Sequence, residues 1–189
     1  MKSTDYLVLV NGQQALPDGF EDSVPFLSVE KAGGEQCQIE EKTYAAFLRL
    51  KADLLETEGM EIQLLGAGRT RAQQAAIFDN YRDKFGLSYA EKYAAKPGHS
   101  EHHTGLAIDV GIVVNGKLHY TIEDMLAVVH LFEIIHKKLP KYGFLLRYPK
   151  GKEDVTKIGY EPWHFRYIDS PEIAQKITDQ GICFEEYLL

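Results

Sequence analysis

Across residues 40–58, "EEKTYAAFLRLKADLLETE", the apolar side chains Tyr44, Phe47, Leu48, Leu50, Leu54 and Leu55 recur at near-helical spacing, and Gly59 follows where a C-cap belongs. The same periodicity predicts a helix over 70–86 with Thr70 as N-cap, and a continuous one from Thr121 to Leu139. The latter sets Met125, Val128, Val129, Phe132, Ile135 and Leu139 along one face. "SYAEKYAA" (88–95) reads as a brief helix, and 170–181 as a helix with Ser170 at the cap, Pro171 in the first turn and Gly181 at the exit. Strand-like runs are "YLVLVN" (6–11), "EIQLLGAG" (61–68), "GLAIDVG" (105–111), "GFLLRY" (143–148) and "WHFRYI" (163–168). Strands and helices mix without regular alternation. The expectation is an α+β fold, one domain over 1–189 with a central antiparallel sheet flanked by helices.

A chain of 189 residues, 44% hydrophobic and 26% charged, is long enough for one well-buried core. The net charge of −7 without clustered Lys and Arg argues against nucleic acid as a partner. No run of about 18 apolar residues suggests a membrane span. The start, "MKSTDYLVLVNGQQ", has too short an apolar patch for a signal segment, so the sequence as given reads as cytoplasmic; a trimmed secreted or wall-associated chain would look the same. Cys37 and Cys183 form no C-x-x-C pair and read as ordinary buried thiols.

The stretch "GHSEHHTGLAIDV" (98–110) holds three histidines and then an aspartate inside an apolar run. If 105–111 is a strand, Leu106, Ile108 and Val110 share the packing face. Gly105, Ala107, Asp109 and Gly111 share the other, and the small residues there would leave a hollow around Asp109. His102 could fold back over Gly105 toward that hollow, although His99 and His103 could take its place. An imidazole and a carboxylate converging on one point are two of the three protein ligands of a catalytic zinc site. The third candidate is His164 in "YEPWHFRY" (160–167), where Pro162 holds Glu161 extended beside the site, in position to act as general base. His119, His130 and His136 read as structural, and Trp163, Phe165 and Tyr167 as core. Arg147 and Arg166 could meet a substrate carboxylate or serve as surface or structural ion-pair partners.

"SEHHTGLAID" (100–109) fits the S-x-H-x-x-G-x-A-x-D signature of the VanY/VanX group of zinc D-alanyl-D-alanine peptidases, and "EPWHFRY" (161–167) resembles that group's E-x-x-H block. The likeness extends over 143–167 and to the opening "YLVLVNGQQALP". The resemblance implies a D,D-peptidase/hedgehog-like fold with a zinc site in a cleft on the sheet. It further implies zinc (Zn2+) held by His102, Asp109 and His164, and Glu161 as catalytic base. In "GAGRTRAQQ" (66–74) it places Arg69 as the transition-state arginine, followed by Gln74, with Ser100 and Gln74 toward substrate. Gly68 stands where the group has an aromatic residue, and Arg71 is an alternative to Arg69 that the register disfavours.

The implied activity is zinc-dependent removal of the C-terminal D-alanine from peptidoglycan precursor peptides, as carboxypeptidase, dipeptidase or both. An L,D-carboxypeptidase, a wall-lytic endopeptidase with the same site and a non-catalytic wall-peptide binding module are the alternatives. Nothing in the sequence fixes the oligomeric state.

Overall fold

The computed structural model of the protein describes residues 4–189. Helix α1 (Glu41–Glu58) forms where the apolar spacing requires it and buries Ala46, Phe47, Leu50 and Leu54. Its start is fixed by the fully buried Glu40 carboxylate, which accepts hydrogen bonds from the Lys42 and Thr43 N–H groups and from the Thr43 and Tyr6 hydroxyls. Gly59, at φ 63°, ends it in the left-handed conformation that a side chain would resist. Thr70 and Gln73 form a reciprocal capping box on α2 (Arg71–Phe85), and α3 (Leu87–Tyr93) packs back on it through Phe78, Ala90 and Ala94.

Five strands make the main sheet: β3 (Glu61–Gly66), β4 (Ala107–Val114), β5 (Lys117–His119), β6 (Phe144–Leu146) and β7 (His164–Tyr167). Their order is β3-β4-β7-β6, with β5 also paired to β4, and every pairing is antiparallel. One face carries Ile108, Val110, Ile112 and Phe165 into a core shared with Phe47, Leu50 and Leu54 of α1. Phe132 and Ile135 of α5 (Val129–Lys138) complete that core. Trp163, Phe165 and Tyr167 belong to it as the strand parity predicts. No helix among the described residues is long and apolar enough to cross a membrane.

Four local expectations change. Residues 6–11 are not a strand: Val8 and Val10 are buried and Leu7 and Leu9 pack elsewhere, but no ladder partner lies alongside. The Tyr6 and Val8 carbonyls instead accept from the Arg166 guanidinium at 3.1 and 2.8 Å, so a side chain does what a neighbouring strand would do. The helix expected from 121 to 139 breaks at Val128 into α4 (Ile122–Ala127) and α5, where two adjacent β-branched residues crowd the turn. A hairpin of β1 (Phe26–Glu30) and β2 (Gln36–Glu40) is present that the hydrophobic pattern did not announce, since only Val29, Ile39 and the polar Glu40 are buried in it. Finally, β4 starts at Ala107. Gly105 lies before it at φ 71°, and Leu106 joins a separate cluster with Val8 and Val10.

Arg147 and Arg166 are neither surface residues nor open to a substrate, since both are wholly buried. Both donate to Glu101 Oε1, at 2.7 and 2.8 Å, and Arg147 also grips both carboxylate oxygens of Glu185 in the short helix Phe184–Leu188. Removing one member of such a network strands its partners in a medium that cannot solvate them. Arg166→Met is therefore expected to lower stability by about 3–5 kcal/mol, read as a reduced midpoint in urea unfolding; a loss below about 1 kcal/mol would show that the network behaves like a surface pair.

Candidate active site

Asp109 and His164 are direct partners across the β4–β7 ladder, so the pleat sends both side chains to one face. His164 Nδ1 lies 3.1 Å from Asp109 Oδ1. The room for this carboxylate does not come from its own strand: Ala107 is fully buried, and a Cβ on Gly111 would stand 2.6 Å from the His119 carbonyl oxygen of β5. It comes from across the sheet. Gly66, set opposite Asp109 by an irregularity in β3, would bring a Cβ to 3.2 Å from Asp109 Oδ2.

His102 arrives on a single 3-10 turn, Glu101–Thr104, whose first residue follows the cap Ser100; Ser100 Oγ accepts the His102 N–H. At about three residues per turn, neighbouring side chains leave in different directions. Glu101 enters the buried ionic network, while His102 Nε2 reaches to 3.1 Å from Asp109 Oδ2. His103 turns to the Gly98 N–H and the Arg69 carbonyl. The His102 Nδ1 lies 2.6 Å from the Ala67 carbonyl, which can only accept, so Nδ1 carries the proton and the Nε2 lone pair faces the site. His99 is committed to the Asn11 carbonyl. Of the three neighbouring histidines, His102 alone joins Asp109 and His164, and one donor atom from each of these three lies within 4.8 Å of the others.

Arg69 is drawn in from the same side. Its N–H bonds to the His102 carbonyl, its guanidinium donates to Gln74 Oε1 at 3.1 Å and to Asp109 Oδ2 at 2.5 Å, and Nη2 is 2.9 Å from His102 Nε2. Arg71 points away, half exposed, with Asp18 at 3.8 Å. Gly68 is explained by β2: a Cβ there would meet the Gln38 carbonyl oxygen at 2.5 Å. The neighbouring hairpin strand thus occupies the space an aromatic side chain would need. Gln74 is buried, with its amide spanning Arg69 and the Ala95 carbonyl.

Glu161 hangs from the loop before β7, its carboxylate 3.6 Å from His164 Nδ1. The loop is pinned by the Glu161 N–H to the Tyr148 carbonyl and by His136 Nε2 to the Pro162 carbonyl at 2.8 Å. His136 is thus structural, as its helix position suggested, yet what it supports is the segment carrying Glu161. Neither its place under this loop nor the Tyr148 ring, 4.8 Å from the His164 ring, had a signal in residue spacing. A cleft of about 450 Å³ opens over these groups; Ser100 and Gln74 are in its wall, and Tyr81, Phe85, Tyr89 and Tyr120 line it farther out.

The electrostatics separate the titratable groups. Burial pushes Glu161 up to about 8. Burial and the adjacent Arg69 hold His102 down at about 4, so it is a neutral donor at pH 7. Burial opposes charge on His164 too, but the neighbouring carboxylates of Asp109 and Glu101 carry its pKa up to about 9. Asp109 is held well below the carboxylate range because the two histidines and Arg69 outweigh its burial. Two imidazole nitrogens and one carboxylate oxygen, gathered at the floor of a cleft, suit zinc, whose catalytic sites take three such protein ligands.

Residues 36–170 match the family model for VanY, D-alanyl-D-alanine carboxypeptidase. The chain is 36% identical over 184 residues to the putative carboxypeptidase YodJ of Bacillus subtilis (strain 168), covering 96% of this chain and 66% of YodJ. It therefore spans about two thirds of the length of that curated relative. Among solved structures, the LdcB LD-carboxypeptidase superposes with a TM-score of 0.79 at 36% identity, covering 97% of this chain and 85% of that one. A mutant of the vancomycin resistance D,D-pentapeptidase VanY, in complex with Zn(II), superposes with a TM-score of 0.77 at 29% identity, covering 97% and 99% of the two chains.

Since His164 holds a proton up to about pH 9 and a ligand nitrogen must be free of one, zinc uptake at neutral pH is expected to release a proton. Affinity should rise by about tenfold per pH unit as pH approaches that value. Titration calorimetry in buffers of different protonation enthalpy reads this directly, and an affinity flat from about pH 6 to 8 would mean that His164 meets the metal already neutral.

Proposed function

Because the chain belongs to the VanY family of D-alanyl-D-alanine carboxypeptidases, we propose that it is a zinc metallopeptidase that hydrolyses the terminal D-alanine from peptidoglycan precursor peptides. The observation that carries the reading is the convergence of His102, Asp109 and His164 with Glu161 and Arg69 at the floor of one cleft. His102, Asp109 and His164 would hold the metal. Bound there, zinc supplies Lewis acidity, which polarises a carbonyl and lowers the pKa of water to about 7.

The remaining chemistry is assigned to side chains. Glu161, poised by burial near neutrality, takes a proton from the attacking water and delivers it to the amide nitrogen as the C–N bond breaks, leaving a shortened peptide carboxylate and free D-alanine. Arg69 donates to the oxygen that gains charge as the carbonyl carbon becomes tetrahedral. A charged donor of this kind favours the transition state over bound substrate. Gln74 braces that guanidinium while facing the cleft. Ser100, whose Oγ accepts the His102 N–H, has its hydroxyl proton to offer a substrate carbonyl or carboxylate. A purely binding module would have no use for a base and an oxyanion donor set on the same three ligands. An L,D-carboxypeptidase is the second reading, supported by the likeness to LdcB.

Incubation of the zinc-loaded protein with D-Ala-D-Ala, a stem pentapeptide ending in D-Ala-D-Ala and the matching tetrapeptide, with products identified by mass, is the decisive test. Loss of one D-alanine from the dipeptide or pentapeptide is expected. Cleavage of the tetrapeptide alone would move the protein to the L,D class, and no cleavage of any would remove the reading. Glu161→Gln is expected to bind zinc normally and lose about 10²–10⁴ in turnover, and Arg69→Ala about 10²–10³; a Glu161→Gln protein with ordinary turnover would take that residue out of the mechanism.

A further inference from the structure

Among the described residues, two buried side-chain atoms are left without a hydrogen-bond partner, and they face each other. One is Glu101 Oε2 and the other is His164 Nε2, 3.7 Å apart. The Oε1 of the same carboxylate is saturated by Arg147 and Arg166, which leaves Oε2 free to turn to the imidazole. Both groups are almost fully buried, so no bulk water competes for either atom. The opposite ring nitrogen, Nδ1, is the one that faces Asp109 Oδ1 at 3.1 Å.

We infer that Glu101 is a positioning residue for the metal site: its Oε2 accepts the His164 Nε2–H, locks that tautomer and directs the Nδ1 lone pair to the ion. The inference rests on His164 being a ligand, as proposed above. A carboxylate beyond the ligand shell fixes ring orientation and raises the basicity of the coordinating nitrogen. The construction also explains why the histidine next in sequence needs no such partner. His102 uses its own Nδ1–H on the Ala67 carbonyl and coordinates through Nε2, whereas His164 presents the reverse pair of atoms. Glu101 therefore joins two systems: its Oε1 belongs to the charge network that reaches Glu185, and its Oε2 serves the site.

Glu101→Gln tests this sharply. The amide oxygen can still accept from both arginines, while the amide nitrogen can only donate toward Nε2, favouring the wrong tautomer. Zinc affinity, measured by competition with a chelator, is expected to fall about 10- to 100-fold. Glu185→Gln perturbs the same network away from Oε2 and should lower thermal stability without moving zinc affinity beyond about twofold. In the zinc-loaded parent protein, imidazole-labelled NMR should find the His164 proton on Nε2, a readout that does not depend on any variant folding. A proton on Nδ1, an unchanged zinc affinity in a folded Glu101→Gln protein, or equal affinity losses in both variants would each overturn the inference. Undiminished zinc occupancy in His164→Ala would instead overturn the ligand assignment beneath it.

Discussion

The site depends on one pairing register. With β4 and β7 antiparallel and Asp109 opposite His164, a carboxylate and an imidazole from residues 55 apart in sequence project from adjacent strands onto one face. A slip of one residue in either strand would turn them to opposite faces and bring Ile108 or Phe165, whichever strand moved, out of the core. The register is held because those two side chains are fully buried, themselves opposite each other, in the layer under α1 and α5. Hydrophobic packing on one face thus determines how Asp109 and His164 sit together on the other.

Much of this was legible in the sequence where two physical signals coincided. Helices α1 and α2 have both apolar periodicity and end chemistry, Gly59 after one and Thr70 before the other, and they form within a residue of their predicted limits. The meeting of His102, Asp109 and His164 was legible because strand parity isolates Asp109 from Ile108 and Val110, and because two separated motifs carry the two histidines. The resemblance to the VanY/VanX group was needed for Arg69, since nothing in the spacing of a glycine-bounded arginine shows that it folds back across β4.

What the sequence concealed were arrangements in which backbone polarity is satisfied by side chains or by distant loops. Residues 6–11 have the alternation of a strand, yet their carbonyls find the Arg166 guanidinium, a partner 160 residues away. Glu101 has no local feature that separates it from any other acidic residue beside a histidine. Its burial follows from Arg147 and Arg166 entering from two different strands' surroundings. The hollow around Asp109 was expected from small residues on its own strand, but Gly66 across the ladder provides it. Parity within one strand says which way a side chain points; the space in front of it belongs to its neighbours.

Ser100 and the first three residues of the 3-10 turn it caps, Glu101, His102 and His103, send four consecutive side chains to four separate tasks: cleft wall, charge network, the cluster with Asp109 and His164, and the support of Arg69. A strand would offer only two directions, and an α-helix, which turns less per residue, would fan the same set less widely. Such compactness makes the segment brittle to changes in length. Adding or deleting a single residue there would rotate every following side chain by a third of a turn and misdirect all four at once, whereas substitutions at any one position disturb a single task. The outer aromatic rim of the cleft, by contrast, can change shape while this turn stays as it is.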